Sequence, residues 1–143
     1  MSKNKKNKII VVMPAYNAEK TLGKTYRDIP KDLVDEIILV DDGSRDKTFA
    51  VANRLKLTVF KHPNNLGYGG NQKTCYWEAI KRNPKIVVML HPDYQYDSSL
   101  LGELVRPIID RRYDYMFGSR IRTRQETLSG GMPFHKYFFN RLY

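Results

Sequence analysis

Asp93 and Gln95 stand two residues apart in His91-Pro92-Asp93-Tyr94-Gln95, directly after the apolar run Ile86-Val87-Val88-Met89-Leu90. A carboxylate and an amide are oxygen donors of the kind a hard divalent cation accepts when it bridges two phosphates. Such an ion keeps several waters and needs few protein ligands. The same pentapeptide also suits a plain turn, because Pro and Asp are common turn formers. A second apolar run, Glu36-Ile37-Ile38-Leu39-Val40, likewise ends in carboxylates, in Asp41-Asp42-Gly43-Ser44-Arg45-Asp46. A third, Lys8-Ile9-Ile10-Val11-Val12-Met13, runs into Pro14-Ala15-Tyr16-Asn17-Ala18-Glu19. A further polar segment, His62-Pro63-Asn64-Asn65-Leu66-Gly67-Tyr68-Gly69-Gly70-Asn71, carries three glycines in four positions. Glycines allow close backbone approach, and a helix N-terminus favours phosphate. This cluster lacks the Gly-Lys-Ser/Thr ending of a Walker loop and does not follow the first strand as a dinucleotide fingerprint does. Taken alone, it reads as a structural turn.

Elements are needed to bring these segments together. Short β-rich apolar runs read as buried strands, expected near 8–13, 36–41, 57–61, 86–90 and 114–118. Helical periodicity is expected near 19–28, 46–55, 69–82 and 98–111. Asp46 or Ser44 suits the cap of the second helix, and Pro107 should end or kink the fourth. Asp42-Gly43 is also a hairpin signal, but the helix-like stretch 48–55 argues against a hairpin. Repeated strand–loop–helix units imply an α/β fold with a mostly parallel sheet and helices on its faces. In such sheets ligands bind outside the carboxyl ends of the strands, where all these polar segments begin.

With 143 residues the chain has the length of one domain with a real core. The single cysteine, Cys75, cannot form an internal disulfide, which fits a reducing compartment. It reads as a small core residue rather than a reactive thiol. No apolar stretch approaches the roughly 20 residues of a membrane span, and the lysine-rich start lacks the apolar region of a secretory signal. The net charge of +10 comes partly from Lys3, Lys5, Lys6 and Lys8. These suit a solvated tail over residues 1–8, with anionic lipid or nucleic acid as the sharper alternative. Basic charge with ten tyrosines is also the footprint of a nucleic-acid-binding module. However, the aromatics do not interleave with lysines on one strand, as a stacking platform requires.

Six motifs occur in order: Val-Val-Met-Pro-Ala-Tyr-Asn (11–17), Val-Asp-Asp-Gly-Ser-Arg-Asp (40–46), Asn-Leu-Gly-Tyr-Gly-Gly (65–70), His-Pro-Asp-Tyr-Gln-Tyr (91–96), Gly-Ser-Arg (118–120) and Gly-Gly-Met-Pro (130–133). Together they resemble the family-2 glycosyltransferases of the GT-A fold, and most closely the dolichyl-phosphate mannosyltransferase-like branch. The resemblance implies a Rossmann-like, mostly parallel sheet with helices on both faces, cut short on the acceptor side. It also implies that residues 9–143 form the nucleotide-sugar-binding part of an inverting transferase that ends inside its acceptor region, as an amino-terminal fragment.

Carried over residue by residue, the resemblance gives Pro14, Tyr16, Asn17, Glu19, Asp41, Asp42 and Gly69 to the nucleotide sugar, with Asp42 on the base. Asp93 takes the last position of the family's D-x-D motif. It becomes the main ligand of Mg²⁺ or Mn²⁺, with Gln95 second and His91 as a further donor. Asp93 and Arg120 would stabilise the departing diphosphate, and Arg141 an acceptor phosphate. The partners implied are a nucleotide-diphosphate sugar and a polyprenyl (dolichyl or undecaprenyl) phosphate at a membrane surface, with no nucleic acid. The implied location is cytoplasmic or peripheral at the cytoplasmic face of a membrane. A lipid phosphate is already an anion and needs no strong base; a hydroxyl acceptor would need one. The sequence departs from the family at His91, where an aspartate is usual, and at Ala18, where an acidic residue often stands. Apolar Phe138, Phe139, Leu142 and Tyr143 near the end of the chain give an expectation of self-association and of sugar-nucleotide binding with little transfer. A fragment that binds the nucleotide sugar without transferring it is the alternative function.

Overall fold

The computed structural model describes residues 7–118. Strand β1 (Ile9–Ala15) leads to helix α1 (Leu22–Asp28), β2 (Glu36–Asp41) to α2 (Thr48–Arg54), and β3 (Thr58–Lys61) to α3 (Gly67–Ile80). Strand β4 (Ile86–Met89) is followed by a 3₁₀ turn (Ser98–Leu100) and α4 (Leu101–Ile109). The four strands form one sheet in the order β3-β2-β1-β4, with every neighbouring pair parallel. The expected mostly parallel α/β sheet is therefore present. The chain builds outward from β1 through β2 to β3, then crosses back to place β4 on the other side of β1. That reversal is a topological switch point, where open α/β sheets leave a crevice for ligands.

The strands are apolar without alternation because both faces are covered. In β1, Ile9, Val11, Met13 and Ala15 pack with Leu22 of α1, Ala52 of α2, and Leu101 and Val105 of α4. Ile10 and Val12 face the other way, with Ile38 and Val40 of β2 and Cys75 and Ala79 of α3. Helices thus lie on both faces. Cys75 is fully buried, and that burial pushes its thiol up to about 12. It is a core residue, as expected. Among the described residues no helix is long and apolar enough to cross a membrane.

Several boundaries differ from the sequence expectation, each for a local reason. Strand β1 runs through Pro14 to Ala15 rather than stopping at Met13. The backbones of Lys8 and Val12 face β4, since Lys8 and Val12 carbonyls accept from Ile86 and Leu90, so the missing N–H of Pro14 faces β4 as well. The β1–β4 ladder ends at Val12–Met89, where Pro14 has no N–H to give to Leu90. Helix α1 starts at Leu22 rather than Glu19, and the backbone N–H groups of Ala18 and Glu19 bond to the neighbouring loop. Pro107 lies inside α4, which ends two residues later at Ile109. The expected strand at 114–118 is absent: those residues have no strand assignment among the described residues. Tyr113, Tyr115 and Phe117 supply an alternating pattern, but all three are exposed, and no ladder joins them to the edge strand β4. Alternation makes a strand only where a partner edge receives it.

Candidate functional site: the carboxyl edge of the sheet

Because the sheet is parallel, the loops after β1, β2, β3 and β4 all open on one edge. They are joined in two ways. The loops after β1 and β2 are laced by reciprocal bonds. Asn17 N–H donates to Ser44 Oγ at 2.9 Å, and Arg45 N–H donates to Asn17 Oδ1 at 3.0 Å. Ala18 N–H reaches Thr48 Oγ1 at 2.7 Å. Glu19 N–H donates to Asp46 Oδ2 at 3.0 Å, and Lys47 N–H returns to Glu19 Oε2 at 2.8 Å. Neither Asp46 nor Ser44 is the cap of α2 that the sequence suggested: Lys47 stands at that position without a side-chain cap bond, and Asp46, one residue earlier, accepts the N–H of Thr48 at 2.9 Å. Asn17 sits at φ 51°, a left-handed conformation that asparagine tolerates better than most residues. Burial pushes the Asp46 carboxyl up, but the Thr48 hydroxyl and the N–H groups of Glu19 and Thr48 outweigh it and hold the carboxyl below its ordinary range.

Adjacent Asp41 and Asp42 part company at the tip of β2. Asp41 is fully buried; its Oδ1 accepts Ser44 N–H at 3.1 Å, and Lys61 Nζ lies 4.0 Å from its Oδ2. That Oδ2 and Asn71 Oδ1 are the sealed side-chain oxygens without a hydrogen bond among the described residues. Asp42 turns to the α3 face. Its Oδ1 accepts Leu66 N–H at 2.8 Å and lies 2.7 Å from His62 Nδ1. Gly43, at φ +72°, allows this junction: a Cβ there would stand 3.1 Å from Asn65 N. Asn71 of α3 ties the same corner together, donating to Val40 O at 3.1 Å and Ala15 O at 3.4 Å.

The loop after β4 is held more lightly. Asp93 is exposed, and its Oδ1 accepts Gln95 N–H at 3.0 Å across Tyr94, which takes φ 61°. The Tyr94 hydroxyl donates to Asp28 Oδ2 at 2.9 Å, which pushes that phenol up. His91 stacks on Tyr68 with ring centroids 5.4 Å apart, and its Nε2 lies 3.2 Å from the Tyr68 hydroxyl. The N-terminal turn of α3 thus touches both the β2 tip, through Leu66, and the β4 tip, through Tyr68.

The glycines of this turn have separate reasons. Gly67 takes φ +77°, and a Cβ at Gly70 would stand 2.8 Å from Leu66 Cβ. Gly69 meets nothing within 4 Å and has no positive φ, so packing among the described residues does not require it. A glycine in a helix costs about 0.5–1 kcal/mol relative to alanine.

The donor set fits a hard cation shared with a ligand. Among the described residues no group of three His, Cys, Asp or Glu side chains could hold an ion by itself. Asp93 offers an exposed carboxylate and Gln95 an amide two residues on, which suits an ion whose remaining ligands are phosphate oxygens and water. His91 Nε2 is already engaged by Tyr68.

The edge therefore gathers Pro14, Tyr16, Asn17, Glu19, Asp41, Asp42, Gly69, His91, Asp93 and Gln95. Tyr16 is 49% exposed, whereas Asp42 is only 2% exposed. Arg120 and Arg141 lie outside the described residues. Sequence reasoning gave no role to His62, Thr74 or Tyr68; the signal available for His62 was its position at the tip of the third strand.

Known proteins share this arrangement. The chain is 36% identical over 121 residues to an uncharacterized protein of Methanocaldococcus jannaschii, covering 85% of this chain and 50% of that protein. It is 30% identical over 135 residues to UDP-N-acetylglucosamine–dolichyl-phosphate N-acetylglucosaminyltransferase of Methanococcus voltae, covering 82% of this chain and 54% of that protein. The chain thus spans about half the length of the curated relatives it matches. Glucosyl-3-phosphoglycerate synthase of Mycobacterium tuberculosis, solved with UDP, superposes with a TM-score of 0.60 at 28% identity, over 73% of this chain and 40% of that one. The same enzyme has been solved with Mn²⁺, UDP and glucosyl-3-phosphoglycerate, with a TM-score of 0.59. Its fold is that of the GT-A glycosyltransferases, and this sheet and its switch point belong to the same fold. Residues 10–142 match the family model Glycosyl transferase family 2, the same family that the motifs resemble, and the chain belongs to that family.

Proposed function

We propose that residues 9–143 form the nucleotide-sugar-binding part of an inverting glycosyltransferase; Lys8, expected at the end of a basic tail, instead accepts Ile86 N–H at its carbonyl at 3.1 Å. The observation that carries this reading is the meeting of Asp42, Gly69 and Asp93 on one edge, around the switch point between β1 and β4. Asp42 recognises the base. Its Oδ1 is spent on Leu66 and His62, which leaves Oδ2 as an acceptor. An ionised carboxylate only accepts, so it pairs with a donor on the base, the ring N–H of uracil or guanine or the exocyclic amine of cytosine or adenine. Tyr16 and Pro14 flank the nucleoside, and Gly69 lets the α3 backbone approach the diphosphate.

Asp93 and Gln95 hold Mg²⁺ or Mn²⁺, which when bound neutralises the negative charge that develops on the departing nucleotide. Arg120 adds to that stabilisation, and Arg141 takes an acceptor phosphate. A polyprenyl phosphate is the acceptor this reading prefers, supported by the relative named for a dolichyl-phosphate acceptor. The lipid would bring the reaction to a membrane surface. Asn17, Glu19 and Asp46 serve by rigidifying the loops that frame the nucleoside.

The test is calorimetric titration of the chain with UDP, GDP, CDP and ADP in Mn²⁺, Mg²⁺ or EDTA, followed by UDP-sugars. Metal-dependent binding of at least one of these nucleoside diphosphates is expected. Binding of no nucleotide in any metal would sink the reading.

A further inference from the structure

We infer that His62 is a positioning residue for nucleoside recognition, acting through Asp42 and held in turn by Thr74. The inference rests on the assignment of Asp42 to the base. His62 is 9% exposed and Asp42 2%, so neither is a surface group oriented by solvent. His62 Nδ1 lies 2.7 Å from Asp42 Oδ1, and its Nε2 lies 3.0 Å from Thr74 Oγ1. The backbone beneath is fixed as well, because His62 N–H donates to Asp41 O at 2.8 Å.

The hydrogen bonds define roles. A carboxylate has only lone pairs, so Nδ1 carries the proton and donates to Asp42. On the other side of the ring, Nε2 meets the Thr74 hydroxyl, which itself donates to Gly70 O at 3.2 Å. Leu66 N–H arrives at the same Asp42 Oδ1. Two donors on one oxygen fix both side-chain torsions of the aspartate and direct the other oxygen to whatever binds at the edge. Remove His62 and the carboxylate retains one donor from a loop and is free to rotate.

The unit also spans two parts of one ligand. Asp42 is at the tip of β2, His62 at the tip of β3, and Thr74 on α3, one turn beyond Gly69 and Gly70. The base-reading carboxylate is therefore tied to the helix whose start faces the diphosphate. Correct placement of the diphosphate at that helix and of the base at Asp42 are then coupled.

The experiment is a double-mutant cycle on the full 143-residue chain, titrating UDP and, separately, inorganic pyrophosphate in Mn²⁺, with urea unfolding of each variant. His62→Ala is expected to weaken UDP binding roughly tenfold, the scale of a lost hydrogen bond to a charged group, with pyrophosphate binding changed less than twofold. His62→Asn, whose Nδ2 can stand where Nδ1 stands, is expected to recover most of the loss, whereas Thr74→Val costs about threefold. In an Asp42→Asn background, His62→Ala is expected to cost nothing further. Equal loss of UDP and pyrophosphate, or a full tenfold loss persisting in the Asp42→Asn background, overturns the positioning role. So does parent-like UDP binding by His62→Ala. If His62→Ala does not fold, His62→Asn and Thr74→Val carry the same comparison, and failure of His62→Asn to outbind His62→Gln overturns the role. Parent-like UDP binding by Asp42→Asn is a separate result: it removes Asp42 from the base and refutes the underlying reading.

Discussion

The loops after β1 and β2 and the loop after β4 share an edge, yet they are built on opposite principles. In the first pair, Asn17, Glu19 and Asp46 give their oxygens to backbone N–H groups of the neighbouring loop, and helix α2 begins on those bonds. Such polar groups are already satisfied. In the β4 loop, Asp93 is exposed and bonds locally to Gln95, two residues on. The difference separates two kinds of motif residue. Those whose polar atoms are consumed inside the protein hold a frame; those left with an oxygen at the edge are placed for a ligand. Asp41 and Asp42 do not sort so simply: Asp41 is sealed with its Oδ2 unbonded, and Asp42 is clamped at Oδ1 by His62 and Leu66.

That contrast can be broken by substitution. Asp93→Asn is expected to have the largest effect. Metal-dependent UDP binding should fall by roughly 100-fold, as expected when a metal-held charge is lost, while urea stability stays within the ±0.5 kcal/mol of a surface change. Titration with and without Mn²⁺, beside an unfolding curve, measures both; parent-like binding removes Asp93 from the metal.

Asp46→Ala should show the reverse pattern. It orphans the N–H groups of Glu19 and Thr48 and is expected to cost about 1–2 kcal/mol, as leaving buried donors unpaired does. Its effect on UDP binding should be small beside that loss. If Asp46→Ala abolishes binding while unfolding like the parent, the framing role is wrong.

Gly69→Ala sharpens the comparison from the other side. Alanine should stabilise α3 by about 0.5–1 kcal/mol, because a Cβ there meets nothing within 4 Å. UDP binding should nevertheless weaken by a few-fold, since the methyl group enters space meant for the diphosphate. A variant that gains stability and keeps its affinity would show that Gly69 is not a ligand contact.

The smallest effect expected is on acid stability. Asp46 is held below its ordinary pKa, so its contribution is complete above the unfolded carboxylate value and is lost as pH falls through the folded one. The parent should therefore lose stability more steeply below about pH 4 than Asp46→Asn does. Matching slopes in urea unfolding between pH 2 and pH 5 would contradict the assignment.

Much of this was legible in the chain. The runs at Ile9 and Glu36 announced buried strands because strands covered on both faces need no polar alternation. The carboxylates at Asp41, Asp42 and Asp93 read as strand-tip residues for the same reason. Residues 114–118 misled because alternation describes a face but cannot supply a neighbour. The end of β1 was misplaced because Pro14 ends only the ladder its missing N–H would have served, on the β4 side, while Pro14 and Ala15 still pair with Val40 and Asp41 of β2.

The sequence by itself determined the class of fold, the strand tips, the inert core position of Cys75 and the residue types available at the edge. These follow from local composition and periodicity, which short-range sterics and solvent transfer enforce. Only the tertiary structure decided what each of those residues does. Strand order put β4 beside β1 and made the crevice, and the pairing of loops distant in sequence consumed Asn17, Glu19 and Asp46. The approach of β3 and α3 turned Asp42, His62 and Thr74 into one hydrogen-bonded unit. Hydrogen bonding depends on which donor arrives at which oxygen, and that is a property of packing, written nowhere in a run of neighbouring residues.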